Sequence, residues 1–398
     1  MANRASKRRA SRPDDLREPR IDHVDGVWRI RGYDSAKQVL AARTSTTQAG
    51  FTAEHLPRVF VGDKPVLFSD GPEHDAQRKS VGRFFAPKVV SDRYTEIMHD
   101  SAEKWLNRTD SGRLMLDELA LHYAVDVTRE VVGLTESSVE GMSIRLEKFF
   151  DQPPFDITKP DLGRSNRDWA QAAYKGIMPI VRFWWSDVRP AIKKRRQNPQ
   201  EDVVSHLIKQ GHSNREILVE CVTYGTAGMV TTREFISMAT WHLLHEDDLR
   251  ARYLVAEQKE RLAILAEIIR LEPVVGHLYR RTQEDVVITD GEDDWTIPPG
   301  ELIDLCIRPA NADDTVVGDE PENLCPGRSL PRGVDSAGLS FGHGSHKCPG
   351  QPLALLETDV LLRVLLSRQP KIITEPKIGW DDLVAGYTVR GFEIQLDD

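Results

Sequence analysis

The sequence has few cysteines, no long apolar run and no signal segment, and each of these absences excludes a class of protein. Its four cysteines, Cys221, Cys306, Cys325 and Cys348, show no CxxC pair and no metal-finger spacing, which argues against a zinc or disulfide framework. No stretch approaches the roughly 20 consecutive apolar residues that span a bilayer. The basic segment at residues 1–12 lacks an apolar core. We therefore predict no signal peptide and no membrane anchor, and expect a cytoplasmic protein.

Positive charge is also in deficit. The 398 residues contain 53 Lys and Arg against 62 Asp and Glu, a net charge of −9, although residues 1–20 alone hold seven basic and three acidic residues. This balance argues against nucleic-acid binding. No Pro/Gly/Ser-rich linker or charge block divides the chain. We predict a disordered basic tail at residues 1–20 and one domain at residues 21–398.

Hydrophobic periodicity predicts a fold that is mainly α with a smaller β-rich part. Proline and aromatic residues favour a loop at 149–165, whereas β-branched residues and turns after residue 275 predict a small sheet. A further short strand is predicted at 24–30. Helical patterns are found at 34–42, within 72–133, at 167–197 and at 200–210.

The run from Glu220 to Leu244 is apolar, lacks proline and predicts a helix long enough to cross a domain core. Ser213 and Glu216 have the spacing of a capping box at its start. Gly225 and Gly228 each cost roughly 1 kcal/mol relative to alanine in a helix interior. Either close helix packing or a ligand that approaches the backbone would explain these two glycines.

The segment Phe-Gly-His-Gly-Ser-His-Lys-Cys-Pro-Gly, from Phe341 to Gly350, places one cysteine in a glycine-rich loop before a helical pattern. Glycines let the backbone pass close to a flat macrocycle. Backbone N–H groups at a helix start stabilise a sulfur anion. Cys348 therefore suits a single thiolate bond to a haem iron, although a buried cysteine beside an ordinary strand–loop–helix turn explains the spacing equally well.

This segment resembles the cysteine-loop signature of the cytochrome P450 family, Phe-Gly-x-Gly-x-His-x-Cys-x-Gly, at every fixed position. Leu353, Ala354 and Glu357 extend the match. The resemblance implies a cytochrome P450 fold with a long central helix over haem b. It also implies a monooxygenase in which Cys348 binds the iron and Phe341 and Gly350 lie beside the cofactor. A thiolate ligand favours O–O cleavage.

The resemblance further implies the other reactants. A small-molecule substrate and O2 would meet at the haem. Because the sequence has no flavin or iron–sulfur motif, electrons would come from a separate ferredoxin or flavodoxin with its reductase. Four basic residues, Lys79, Arg83, Lys88 and Lys347, would form a docking patch for such an acidic partner, unless they are a scattered solvated surface.

In the long helix, Ala227-Gly228-Met229-Val230-Thr231 is similar to the family segment over the oxygen-binding face. Thr231 matches the threonine that contacts oxygen and orders proton-delivering waters, with Ala227 and Gly228 beside it. Val230 departs from the family, which has Asp or Glu there, and valine cannot relay protons. Protons would come by another route, through Glu234 or substrate and water. The alternatives are peroxide as oxidant, or a different reaction.

Cations for the haem propionates are also implied by the resemblance. His74 and Arg78, at i and i+4, share one helical face and match a family pair, although alone they would suggest a solvated surface. Arg280 and His346 match two further family cations. The adjacent Arg281 competes with Arg280 for the same role.

Glu267 and Arg270 are similar to the family's helical Glu-x-x-Arg pair, which braces the cysteine loop. The usual third partner is missing, because Ala312 and Asn323-Leu324 replace the family's basic residues. Arg328 is the candidate for that role.

The pocket segments of the family are apolar and aromatic in this sequence. They predict a small or medium, largely apolar substrate, for example an aromatic ring with an alkoxy substituent that would be dealkylated. A peroxide-using peroxygenase and a non-catalytic haem protein that binds a small ligand remain alternative functions. The predicted lining comprises Phe51, Val61, Val66, Phe68, Phe149, Phe150, Phe155, Thr223, Ala227, Val274, Val275, Leu278 and Tyr387.

Overall fold

Helices form most of the structure, as predicted. The computed structural model describes residues 7–12, 15–50, 65–108, 111–157, 159–382 and 384–397. Two short π-helical segments, Val90–Tyr94 and Trp184–Val188, join consecutive α-helices. The α-helices are α1 (Tyr33–Ala41), α2 (Gly71–Gly82), α3 (Pro87–Val89), α4 (Thr95–Leu106), α5 (Leu116–Val132), α6 (Val139–Glu147), α7 (Asn166–Phe183), α8 (Arg189–Gln197), α9 (Val203–Lys209), α10 (Asn214–His245), α11 (Asp247–Val255), α12 (Gln258–Leu271), α13 (Ile307–Ala310), α14 (Asp314–Val317) and α15 (Gln351–Ser367).

The strands form small sheets at the periphery. One sheet has five strands in the order β1-β2-β8-β5-β3, with β2 and β8 parallel, and the others pair β10 with β11, β6 with β7, and β4-β12-β9. The strands are β1 (Ile21–Val24), β2 (Val27–Ile30), β3 (Thr46–Ala49), β4 (Arg113–Met115), β5 (His277–Thr282), β6 (Val286–Asp290), β7 (Asp293–Ile297), β8 (Leu302–Cys306), β9 (Lys371–Thr374), β10 (Lys377–Asp381), β11 (Gly386–Arg390) and β12 (Glu393–Gln395).

Helix α10 is the central element. The predicted capping box is present: the Ser213 hydroxyl accepts the Glu216 N–H at 3.2 Å, and the Glu216 carboxylate accepts the Ser213 N–H. The helix has 32 residues and is about 48 Å long at 1.5 Å per residue. It packs against α5, α12 and α15, which places its middle section in the hydrophobic core.

The N-terminal tail is anchored where the sequence predicts disorder. Arg8 donates to the Arg308 carbonyl at 2.9 Å, and Ala10 is fully buried with its N–H 3.1 Å from the Glu272 carboxylate. Arg20 lies 2.8 Å from each of two aspartates. In the described part of the tail, distant carboxylates and carbonyls therefore accept hydrogen bonds from its donors.

Within the described residues, no helix combines the length and apolar character that crossing a membrane requires.

Candidate active site

The cysteine loop is closed by a hydrogen bond of its own. The Cys348 N–H donates to the Phe341 carbonyl at 2.8 Å. Gly344 has φ +69°, and a Cβ at this position would collide with the Leu40 carbonyl oxygen. The loop conformation therefore requires glycine there. Gly350 is less constrained, since a Cβ would lie in ordinary contact, 3.7 Å from the Cys348 sulfur.

The Cys348 side chain is exposed by surface area, yet burial is the main cause that raises the pKa of its thiol. The exposed surface of Cys348 and the effect of burial on its pKa agree if the sulfur faces an internal space that is enclosed by protein. The backbone N–H groups of Gly350 and Gln351, with the charges of Arg78 and Lys347, oppose the rise in pKa. These groups would stabilise a thiolate once a metal displaced the proton.

The middle of α10 exposes one face within the core. Ala227 is exposed, its neighbours Thr226 and Gly228 are half-buried, and Thr231, one turn later, is also half-buried. The Thr231 hydroxyl donates to the Ala227 carbonyl at 2.5 Å. Val230 is only 7% exposed. Thr231 lines an internal cavity, and Ala227 lies one helical turn before it with its side chain exposed.

The structure separates the two explanations for the glycines in α10. A Cβ at Gly225 would lie 3.1 Å from Leu146 Cδ2, so close packing accounts for this glycine. A Cβ at Gly228 would lie 3.5 Å from Thr128, an ordinary contact. Packing against the described residues therefore does not require glycine at position 228.

Two predicted propionate ligands stack on each other. The rings of His74 and His346 are 4.2 Å apart, and His346 Nε2 lies 3.1 Å from the Asp70 carboxylate. His74 is 2% exposed, and its Nε2 has no hydrogen-bond partner among the described residues. Burial, reinforced by the nearby His346, lowers the pKa of His74.

Arg280 and Arg281 point to different surroundings because successive side chains of β5 alternate in direction. Arg280 is 4% exposed, and burial lowers its pKa to about 10 although Asp70 opposes the shift. Arg281 donates to the Gly300 carbonyl at 3.0 Å. Arg280 therefore joins the histidine cluster and Arg281 does not. Arg78 donates to the Lys347 carbonyl within the cysteine loop.

The predicted brace is assembled around Glu267. Its carboxylate accepts from Arg270 Nε and Nη2 at 2.7 and 2.8 Å, and from Arg328 Nε at 3.4 Å. Arg270 is fully buried and also donates to the Asn311 carbonyl at 2.6 Å. Asn311 in turn accepts the Leu339 N–H. These bonds connect α12 to the segment that leads into the cysteine loop.

A cavity of about 150 Å³ lies beside Thr231. Three predicted residues, Phe150, Val274 and Tyr387, line it. Phe68, Phe155, Thr223 and Val275 are not among its lining residues, and Phe51 and Val61 fall outside the described residues. The apolar prediction is incomplete, because the remaining lining is largely polar and comprises Glu147, Val230, Arg233, Glu234, Asp381, Val384, Thr388 and Arg390.

The arginines and glutamates of the lining form ion pairs with one another. Arg233 donates to the carboxylates of Glu147 and Glu234, and Arg390 donates to Glu234 at 2.8 Å. Glu234 also accepts the Val389 N–H at 2.7 Å. The sequence analysis named Glu234 only. Glu147 and Arg390 come from segments distant in sequence, and no motif marks the adjacent Arg233. A Glu234 held by two arginines and an N–H has little freedom to shuttle protons.

Comparison with known proteins decides the family. The Cytochrome P450 family model matches residues 262–369. The chain is 27% identical over 357 residues to erythromycin C-12 hydroxylase of Saccharopolyspora erythraea, covering 86% of this chain and 82% of that protein. These matches confirm the predicted resemblance to the cytochrome P450 family. It is also 28% identical to a steroid C26-monooxygenase of Mycolicibacterium smegmatis, covering 84% of this chain and 81% of that protein.

The fold agrees with that of solved cytochrome P450 enzymes. The structure of CYP109B1 from Bacillus subtilis matches with a TM-score of 0.76 and 19% identity, covering 96% of each chain. The protein is a cytochrome P450 monooxygenase, and members of this family bind haem b. A bound haem supplies the activation of oxygen.

The side chains present fit such a cofactor. A thiol in an internal space could ligate iron, and the buried, weakly paired Arg280 and the unpartnered His74 Nε2 suit two propionates. Cys348 would hold the iron, and Thr231 would lie beside the space in which the substrate is oxidised. The peroxygenase alternative remains open, whereas the non-catalytic alternative does not.

Proposed function

We propose that this monooxygenase inserts one oxygen atom of O2 into a C–H bond of a small to medium, largely apolar substrate that also carries neutral polar groups. The cavity beside Thr231 carries this proposal. Its apolar members, Phe150, Val274 and Tyr387, would hold the hydrocarbon part. Because its arginines and glutamates are already paired with one another, they favour hydroxyl, carbonyl or ether groups over a charged group.

The substrate class named for one relative, a steroid, is of this kind: an apolar skeleton with neutral oxygen substituents. The aromatic ether suggested by the sequence also belongs to it. Oxidation of the carbon next to an ether oxygen would release an aldehyde and the free alcohol or phenol. Thr231 would order water near the reacting carbon, and Cys348, His74, Arg78, Arg280 and His346 would hold the cofactor.

A spin-state screen tests the substrate proposal. Neutral oxygenated apolar compounds should shift the haem spectrum from low to high spin, whereas carboxylates and amines of the same skeleton should bind at least about 10-fold more weakly, equivalent to 1.4 kcal/mol. Tight binding of the charged analogues alone would contradict it. The variant C348S should lose the thiolate-type carbon monoxide difference spectrum. The matched variant C325S, at an exposed cysteine, should retain it.

A peroxygenase is the second candidate, and the observation that favours it is Val230, which is buried beside Thr231 in place of a carboxylic acid. Hydrogen peroxide carries its own protons and electrons, so that no acid is needed. Peroxide-driven turnover that exceeds the rate with O2 and a redox partner would select this function. A faster turnover with O2 and a redox partner than with peroxide would reject the peroxygenase function.

We also propose that a separate acidic ferredoxin or flavodoxin reduces the enzyme at the basic patch. Lys79, Arg83 and Lys88 are exposed, and Lys347 is half-buried within the cysteine loop. Arg83 and Lys347 have acidic neighbours, Glu201 and Asp335, which weakens their contribution. Replacing Lys79 and Lys88 by glutamine should lower the reduction rate and its salt dependence. The exposed Lys193 and Lys194 of α8 provide control substitutions.

A further inference from the structure

A histidine, an aspartate and a cysteine meet on one face of the five-stranded sheet. His277 belongs to β5, and Asp304 and Cys306 belong to β8. One donor atom from each side chain lies within 4.8 Å of the other two. No short motif marks this group, because 27 positions separate His277 from Asp304 in the sequence.

The pairing of β5 with β8 explains why these three side chains converge. His277 lies directly opposite Cys306 in this antiparallel pair, and directly opposed residues have Cβ atoms about 4.5–5.5 Å apart. Asp304, two residues before Cys306, points to the same face of the sheet. Arg280, three residues after His277, points to the other face. The group is therefore separate from the cluster of cations that would hold haem.

Contacts within the protein already orient these side chains. His277 Nδ1 lies 2.8 Å from an Asp304 carboxylate oxygen. The His277 ring also stacks on Tyr279, with 6.3 Å between the ring centroids. Cys306 is 4% exposed, whereas the side chains of His277 and Asp304 are 12% and 10% exposed. The imidazole and the carboxylate therefore keep a path from solvent to the enclosed sulfur, which an ion needs to enter.

The three donors select the kind of metal ion. Thiolate, imidazole and carboxylate are the ligands that zinc takes in proteins, whereas magnesium and calcium prefer oxygen ligands alone. Bonds of about 2.0–2.3 Å at tetrahedral angles place the ligand atoms about 3.3–3.6 Å apart. The separations here, 2.8 Å between His277 and Asp304 and at most 4.8 Å within the group, bracket that spacing. Small side-chain adjustments are therefore sufficient for zinc.

The surrounding charges also suit a divalent cation. Asp304 and a Cys306 thiolate would together offset both charges of zinc. Burial is the main cause that raises the pKa of the Cys306 thiol, so the metal has to displace its proton, as it does at other thiolate sites. Arg31 and Arg29 favour the thiolate but repel the ion. Arg31 lies 3.3 Å from the Asp22 carboxylate, which weakens this repulsion.

We propose that His277, Asp304 and Cys306 bind one zinc ion, with water as the fourth ligand. The S–H bond of Cys306 breaks as the zinc–sulfur bond forms, and the proton leaves to solvent. The ion joins β5 to β8 and so stabilises the strand that carries Arg280 on its opposite face. The proposal is independent of the substrate and of the choice between O2 and peroxide.

Zinc X-ray absorption of the haem-loaded protein, in which haem occupies Cys348, tests the ligand set. The protein is dialysed against EDTA and then given one equivalent of zinc. We expect one sulfur at about 2.3 Å and nitrogen and oxygen at about 2.0–2.2 Å. C306S should lose the sulfur. The matched variant C325S, at an exposed cysteine, should keep it.

Competition with a chromophoric chelator measures the affinity for zinc. Loss of an outer partner alone typically costs 10–100-fold in metal affinity, so C306S and H277Q should each lose at least about 100-fold. H245Q is the matched control, because His245 Nε2 lies 2.9 Å from the Glu375 carboxylate on the surface. Its affinity should equal that of the wild type.

Thermal unfolding gives a further readout. Free zinc at about 100 times its dissociation constant should raise the Tm of the haem-loaded wild type by about 3 °C and leave that of C306S unchanged. Zinc held by nitrogen and oxygen alone, or bound equally well by C306S, would show adventitious surface binding and overturn the proposal. A wild-type protein that loses zinc on gel filtration would also overturn it. If C306S and H277Q fail to fold, the X-ray absorption of the wild type and C325S still decides.

Discussion

The rings of His74 and His346 lie 4.2 Å apart, tilted by 34°, so that two imidazoles share one buried site with the guanidinium of Arg280 close to the same Asp70. If both imidazoles were protonated, the three positive charges would exceed the negative charge of the neighbouring Asp70 and Asp75. The arrangement suits a group that carries two carboxylates, as haem b does.

We predict that haem affinity rises as the pH falls through about 6.5, the ordinary pKa of histidine. Burial lowers the pKa of His74, so the haem-free protein holds it neutral and loses stability as the pH falls. Propionates favour the protonated imidazole, so haem binding takes up a proton. Haem transfer to apomyoglobin, followed from about pH 5.5 to 8, measures this. H74Q should flatten the profile, and an identical slope in H74Q would refute the assignment.

The brace at Glu267 should be important for stability. Replacing Glu267 by glutamine leaves the fully buried Arg270 without its charge partner, at a cost of about 3–5 kcal/mol. Chemical denaturation and haem retention measure the effect. E260Q removes the exposed pair with Arg252, whose side chains are 44% and 46% exposed, and should change stability by less than about 1 kcal/mol. Equal effects of the two variants would contradict a buried role for Glu267.

The two glycines of α10 should respond differently to alanine. G225A forces Leu146 away from a 3.1 Å contact and should destabilise the fold by about 1–3 kcal/mol. G228A meets only ordinary contacts and should keep or raise stability, by up to about 1 kcal/mol. Thermal unfolding of the two variants measures the difference, and equal destabilisation by G225A and G228A would contradict it.

The raised pKa of Glu357 predicts how the free energy of unfolding depends on pH. Its pKa is raised to about 8 from about 4.3 in an unfolded chain, so the folded state binds more protons between these values. This contribution to stability is complete below about pH 4 and is lost as the pH rises to about 8. E357Q should therefore gain stability relative to wild type between pH 5 and pH 8 or so, measured by denaturant unfolding. A constant difference across this range would exclude a raised pKa.

Local spacing in the sequence determined the parts of the site that lie within single elements. The cysteine loop, the capping box at Ser213, the Glu267–Arg270 pair and the face shared by Ala227 and Thr231 all follow from helical periodicity and from glycine-dependent turns. These features need only residues that are three or four positions apart, or consecutive in one loop. The sequence alone was therefore sufficient to predict the family, the cofactor and the central helix.

Only the tertiary structure determined which side chains contact one another. Adjacent strand residues alternate in direction, so the choice between Arg280 and Arg281 depends on what packs on each face of β5. The tail is anchored by acceptors nearly 300 positions away. The charged side chains that line the cavity come from three or more segments of the chain. The burial of Glu357 likewise depends on side chains from other segments that pack around it. No spacing within one segment carries that information.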